Sequence, residues 1–345
     1  MDIAQLSATA KALVAPGKGI LAADESSGTI KKRFDSIGVE STEENRRDYR
    51  EMLFRAPGAS DHISGVILYD ETIRQNAADG TPLVKLLEND GVIPGIKVDL
   101  GAKPLAGAEG ETVTEGLDGL RERLAEYHSL GARFAKWRAT YTITAKSEEG
   151  GLPSAYCISV NAHALARYAA LCQEANIVPI VEPEVLMDGT HTIERSFEVT
   201  TAVLDALYEE LFAQRVRLDG TLLKPNMVLS GYGCATQASV QEVAEATVRC
   251  FRATVPAAVP GIVFLSGGQS DEDATAHLNA MNQIGPHPWE LSFSYGRALQ
   301  APALKAWKGA AANVAAGAAA FVHRAKCNGA ARSGSYTPDM EKAAS

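Results

Sequence analysis

The stretch Gly220–Met227 reads GTLLKPNM. Leu222 and Leu223 make a short apolar run, as in a strand covered on both faces. Pro225 cannot donate to a sheet ladder, so the strand is expected to stop there. Lys224 then stands at the C-terminal tip of a buried strand, its side chain against apolar walls. Burial lowers a lysine's pKa. A partly neutral amine is a nucleophile toward carbonyls and gives a Schiff base. A lysine snorkelling out from a strand end is the plainer reading of the octapeptide alone. The rest of the chain decides between the two.

Upstream and downstream the same unit recurs: an apolar run, a polar tip, then a helical pattern. The runs are Ile20–Ala23, ending in Asp24-Glu25-Ser26; His62–Tyr69; Gly91–Val98, with Lys97 near its end; and Ala132–Arg138. They continue with Ile177–Val181, ending in Glu182-Pro183-Glu184; the Lys224 run; Ile262–Leu265, ending in Ser266-Gly267-Gly268; and Trp289–Phe293, followed by Ser294-Tyr295-Gly296-Arg297. In ARFAKWR, alternation puts Phe134, Lys136 and Arg138 on one face and Trp137 on the other. Two cations on one inner face suit an open mouth and not a sealed core. Apolar residues at spacings of three and four mark the intervening helices: Val113, Leu117, Leu120, Leu124 and Tyr127; Leu165, Tyr168, Ala169 and Cys172; Phe197, Thr200, Leu204, Leu207 and Leu211; Val240, Val243, Thr247 and Phe251. Ser7–Leu13, a capped helix from Ser41 to Phe54, Pro82–Leu87, and helices from Pro302 through Val322 complete the pattern. The tips Arg138, Glu182, Lys224 and Ser266 follow at intervals of 44, 42 and 42 residues, one βα unit each.

Eight strands alternating with helices predict a single-domain α/β fold, a (β/α)8 TIM barrel, in which all eight tips meet at one mouth. A doubly wound sheet would not gather polar residues from nearly every tip. The barrel is expected over residues 1–328, with short helices at both ends. The small and polar residues 329–345 are expected to be a mobile segment.

The chain of 345 residues is 46% hydrophobic and 22% charged, ample for a large core. Its net charge of −9 argues against broad nucleic-acid binding. Five cysteines without a C-x-x-C pair read as reduced thiols, and the seven histidines show no spacing that suggests a metal. There is no signal-peptide pattern and no apolar run long enough to span a membrane. Gly17–Ala22 matches G-x-G-x-x-A, but these glycines precede a strand, whereas a dinucleotide site needs them after one.

At the expected mouth stand Asp24, Lys97, Lys136, Arg138, Glu182, Glu184, Lys224, Ser266 and Arg297. Singly, each has a bland reading as a cap, a turn or a solvated strand end. Together, on the tips of one barrel, they read as a site. Ser266-Gly267-Gly268 offers backbone N–H groups unobstructed by Cβ atoms, and Gly296-Arg297 adds another N–H and a guanidinium. The loops after strands seven and eight commonly hold phosphate in barrels.

The motifs LAADES (21–26), GIKVD (95–99), AKWR (135–138), VEPE (181–184), LLKPNM (222–227), FLSGGQS (264–270) and FSYGRAL (293–299) resemble, in order and spacing, those of the class I fructose-1,6-bisphosphate aldolases of the eukaryotic type. The resemblance runs to about Tyr336. It implies that Lys224 is the Schiff-base lysine and Glu182 the general acid/base of carbinolamine dehydration. Lys136 and Arg138 are the cations beside it, Glu184 a further catalytic carboxylate, and Asp24 the carboxylate that orients the carbon chain. Ser266, Gly267, Gly296 and Arg297 form the phosphate site on the dihydroxyacetone side. Ser26, Thr29 and Lys97 form the opposite phosphate region, threonine replacing the serine many members carry at position 29.

The activity implied is reversible cleavage of fructose 1,6-bisphosphate, with Lys136 lowering the pKa of Lys224 and the iminium serving as electron sink, so that neither metal nor cofactor is required. A homotetramer and a cytoplasmic location are implied in the same way. Two other readings stay open: another Schiff-base sugar-phosphate enzyme, against which two phosphate regions argue, and a scaffold role with actin or another cytoskeletal partner on an aldolase fold. Family members end in a mobile tail whose terminal tyrosine assists enamine protonation. The last tyrosine here, Tyr336 in SYTP, matches a segment upstream of that tail. The sequence as written is therefore expected to form the Schiff base but to turn over slowly.

Overall fold

The computed structural model of the protein describes residues 1–144 and 151–344. Its strands, in chain order, are β1 (Gly19–Ala23), β2 (Ile63–Leu68), β3 (Ile93–Lys97), β4 (Ala102–Pro104), β5 (Thr112–Thr114), β6 (Phe134–Tyr141), β7 (Val178–Val185), β8 (Leu222–Leu223), β9 (Gly261–Phe264) and β10 (Glu290–Tyr295). Eight of these strands pair in parallel with their neighbours and close into a barrel in the order β1-β10-β9-β8-β7-β6-β3-β2; β4 and β5 form a separate antiparallel hairpin. The helices are α1 (Ile3–Leu13), α2 (Ser27–Asp35), α3 (Glu43–Phe54), α4 (Asp70–Arg74), α5 (Leu83–Asn89), α6 (Leu120–Ser129), α7 (Ala155–Glu174), α8 (Ile193–Ala213), α9 (Val240–Thr254), α10 (Asp271–Ile284), α11 (Arg297–Trp307) and α12 (Val314–Arg332). The expected (β/α)8 barrel is therefore the observed one.

Local sequence sets the helix starts. Thr42 accepts from the Asn45 N–H at 3.1 Å, and Ser154 from that of Cys157 at 3.1 Å. Ser239 and Glu242 form a reciprocal capping box at the head of α9. On β6 the alternation holds. Trp137 points out to the helix layer, its ring 5.6 Å from that of Tyr168 on α7. Phe134 points in, packed with Ile67, Val178, Ile180, Leu222 and Val263. At Gly95 a Cβ would meet the Phe134 ring at 2.3 Å, so only glycine leaves room for it.

Several boundaries differ from the sequence reading. Val113 is a strand residue of the hairpin, and α6 begins only at Leu120. Gly116 and Gly119 take φ of +128° and +66°, left-handed positions at which a helix cannot run through. β7 continues past Glu182 to Val185 with Pro183 inside it. Pro302 lies within α11, which starts at Arg297. The boundary expected at 328/329 falls inside α12. Beyond it Tyr336 is buried, and a 3-10 turn, Pro338–Ala344, follows; Ser345 lies outside the described residues.

Candidate active site

Parallel strands in a closed barrel bring their C-terminal ends to one rim, and every site residue expected from the sequence lines one cavity there, of about 970 Å³. Asp24 follows β1, and Lys97 ends β3. Lys136 and Arg138 lie on β6, Glu182 and Glu184 on β7, and Lys224 directly after β8. In register, Lys97 pairs with Lys136 and Arg138 with Glu182, so two cations meet on the β3–β6 edge and a cation meets a carboxylate on the β6–β7 edge.

The centre is a buried charge cluster. Lys224 Nζ lies 3.3 Å from Glu182 Oε1, and Lys136 Nζ lies 3.4 Å from Glu182 Oε2. Lys136 also meets Asp24 at 2.8 Å and Asp99 at 3.7 Å. Burial works to neutralise Lys136, but Asp24, Glu182 and Asp99 outweigh it and raise its pKa above the usual lysine range. Asp24 mirrors this: burial raises its pKa, while Lys136 and then Lys224 hold it well below the usual carboxylate range. Arg138 Nε donates to Glu184, which with burial opposing keeps the guanidinium firmly charged. Lys97 Nζ is 2.6 Å from Asp99 Oδ1.

The glycines of the 266–268 turn are there for space and backbone angle. Gly267 and Gly268 have φ of +58° and +99°. A Cβ on Gly267 would meet Met187 Sδ at 2.4 Å, and one on Gly268 the Arg297 guanidinium at 2.7 Å. No described residue accepts a backbone hydrogen bond from the N–H of either glycine. Arg297 opens α11 beside them and, among the described residues, makes no ion pair. Consecutive free N–H groups beside a cation form an anion cradle. Ser26 caps α2, and its Oγ faces Thr29 Oγ1 at 3.1 Å. Because β1 neighbours β10, Ser26 and Thr29 emerge beside Arg297, and Lys97 on β3 stands two strands from β1 on its other side, beyond β2.

Comparison with known proteins was made on this frame. The family model for class I fructose-bisphosphate aldolase matches residues 5–345. The chain belongs to that family. A probable class 1 fructose-bisphosphate aldolase of Xanthomonas campestris is 61% identical over 337 residues, 97% of this chain and 99% of that protein. The fructose-bisphosphate aldolase of Dictyostelium discoideum is 54% identical, over 96% of this chain and 93% of that one. The solved aldolase of Plasmodium falciparum, in complex with TRAP and a small-molecule inhibitor, superposes with a TM-score of 0.95 at 50% identity, covering 97% and 96% of the two chains. This aldolase accordingly cleaves fructose 1,6-bisphosphate reversibly into dihydroxyacetone phosphate and glyceraldehyde 3-phosphate, through the lysine Schiff base general to class I.

Among the residues of the cavity region that the sequence reading missed, four bear on the site. Asp99 contacts Lys97 and Lys136 and accepts the Arg138 N–H at 3.2 Å. Its signal was present, since Lys97 and Asp99 sit two apart and so on one face of an extended segment. Arg33 reaches back from α2 to Glu25. Ser294 is buried at the rim, its hydroxyl without a partner among the described residues. Tyr232 donates its hydroxyl to the Gly267 carbonyl at 3.1 Å and touches Met187 Sδ at 3.2 Å.

Proposed function

We propose that Lys224 carries the covalent intermediate of this aldolase, with Glu182 as its proton-transfer partner. The observation that carries the proposal is the position of Glu182 between two buried lysines, one oxygen toward Lys224 and the other toward Lys136. The amine form of Lys224 adds to the ketone carbon of the substrate, and the ketone oxygen takes up a proton to give a carbinolamine. Glu182, within reach of that centre, delivers the second proton on which water leaves, and an iminium remains. A carboxylate then accepts the proton of the C4 hydroxyl. The bond between C3 and C4 breaks, its electron pair passing to the iminium as an enamine, and the aldehyde departs. Protonation of the enamine at C3 and hydrolysis free the second product and Lys224. Lys136 serves as a fixed charge that orients Asp24 and Glu182, and Arg138 is anchored by Glu184. Ser266, Gly267, Gly296 and Arg297 hold one phosphate. Ser26, Thr29 and Lys97 receive the other.

Borohydride added with dihydroxyacetone phosphate reduces the iminium to a stable secondary amine. The expected adduct lies on the peptide containing Lys224; an adduct on Lys136 or Lys97 overturns the assignment. The homotetrameric state, a cytoplasmic site of action and a cytoskeletal partner rest on family likeness. Light scattering that gives a monomer mass at micromolar concentration removes the tetramer reading.

A further inference from the structure

Away from the barrel mouth, three side chains of metal-binding type converge where α12 meets the 3-10 turn Pro338–Ala344. His323 and Cys327 are four residues apart on α12 and so share a face one turn apart. Cys327 Sγ lies 3.7 Å from His323 Nε2, and His323 Nε2 lies 3.8 Å from Glu341 Oε2. All three ligand atoms fall within 4.8 Å of one another. Tetrahedral zinc, with bonds of about 2.0–2.3 Å to nitrogen, oxygen and sulfur, sets its ligand atoms roughly 3.3–3.8 Å apart. Two of the three separations already match, and the third, within 4.8 Å, closes as the Glu341 carboxylate shifts within its Arg324 and Tyr336 contacts. Comparing histidines only with histidines and cysteines only with cysteines hides such a mixed pair in the sequence.

The groups around the cluster orient it. Glu341 Oε1 accepts the Tyr336 hydroxyl at 2.9 Å, and Arg324 clamps the same carboxylate. Arg324 is held in turn by the Asp271 carbonyl at 2.9 Å and by Thr275 Oγ1 at 2.6 Å. Outer contacts of this kind fix a ligand's orientation. The guanidinium also offsets the carboxylate's charge, so attraction for a cation has to come from a thiolate. That disfavours magnesium and calcium, which take oxygen ligands, and favours a thiophilic ion. The Cys327 thiol is fully buried, whereas His323 and Glu341 are 17% and 16% exposed and give an ion its way in.

We propose that His323, Cys327 and Glu341 form a zinc site, its fourth position left to solvent, which fastens the turn Pro338–Ala344 onto α12. Burial, with Glu341 next, pushes the free thiol up to about 11, so binding displaces one proton from Cys327 to solvent. None of the three residues lines the mouth, and aldol cleavage is expected to proceed with the site filled or stripped.

The test uses the full chain, treated with chelator and titrated with cobalt(II) as a spectroscopic substitute for zinc. One equivalent is expected to give a thiolate-to-cobalt charge-transfer band. The band should vanish in Cys327→Ser and persist in Cys234→Ser, which removes the one cysteine that is not buried. Zinc affinity, read by competition with a coloured chelator, should fall at least ~10-fold in Cys327→Ser and in His323→Gln, since loss of even an outer contact weakens a site by that much. Zinc should also slow hydrogen exchange over residues 338–344. No band in the unsubstituted protein, or a band that survives Cys327→Ser, overturns the proposal. Zinc that binds without protecting 338–344 excludes Glu341 as a ligand and overturns it as well.

Discussion

At the N-terminal end of the barrel, Leu6, Ala10 and Leu13 of α1, with Val14, pack against Ile20, Phe134, Val178, Leu222 and Val263. At the C-terminal end, a few residues along the same strands, Asp24, Asp99, Lys136, Glu182 and Lys224 meet within 4 Å of one another in a chain of ion pairs. The first end is apolar burial, which stabilises by roughly 25 cal/mol per Å². The second takes five ionisable groups out of water, a desolvation that their mutual attraction at best roughly offsets. The lower half of each strand therefore works for the fold and the upper half works on substrate, and substitutions in the two halves should separate stability from turnover.

The largest effect is expected from Lys224→Arg, which keeps a cation beside Glu182 and removes the nucleophile. Turnover should fall about 10⁴-fold or more, with a thermal midpoint close to that of the unsubstituted protein. A residual rate within 100-fold would break the division. Phe134→Ala, at the other end, should lose ~3–5 kcal/mol of stability in a denaturant titration. Its folded fraction should keep a turnover number within a few-fold; a large loss per folded molecule would mean that the plug also shapes the mouth. Arg297→Ala should raise KM about 10-fold or more, the equivalent of ~1.5–3 kcal/mol for a charge-assisted contact, and disturb turnover less. A fall in turnover alone would remove Arg297 from the phosphate site.

Tyr232→Phe sharpens the comparison at its margin. Across a trans peptide the Gly267 carbonyl and the Gly268 N–H point in opposite directions. A hydroxyl that holds the carbonyl thus fixes the N–H. Losing it should raise KM by about 5-fold, the worth of a single ~1 kcal/mol hydrogen bond, while leaving borohydride trapping at Lys224 intact. An unchanged KM would make Tyr232 a bystander.

The fold was legible because nearly every strand of the barrel ends in a polar tip and several helices carry a stripe of period 3.6, both of them local signals. The β4–β5 hairpin was not, because Val113 happens to stand four residues before Leu117 and extends the stripe of α6 backwards. Only the two left-handed glycines break it, and a glycine's φ is not written in its name. Within the site, residues on strand tips could be read from alternation, and Asp99 could have been. Arg33 and Tyr232 could not. Arg33 reaches Glu25 because α2 turns back over β1, and Tyr232 reaches Gly267 because loops after neighbouring strands touch. Both contacts depend on distances between loops that carry no period.

One further consequence lies in Arg297. Lys97, Lys136, Arg138 and Lys224 each hold a carboxylate, while Arg297 holds none among the described residues. The empty rim thus behaves as an ion-exchange resin with an open exchange position at Arg297, flanked by positions already loaded with internal counter-ions. A small oxyanion in the medium will occupy the open position first, and a bisphosphate must displace it there while unseating a carboxylate from Lys97, three strands away. A substrate constant measured in phosphate buffer is then a selectivity coefficient between two anions, and it should tighten when the same protein is assayed in a buffer whose anion is bulky and singly charged.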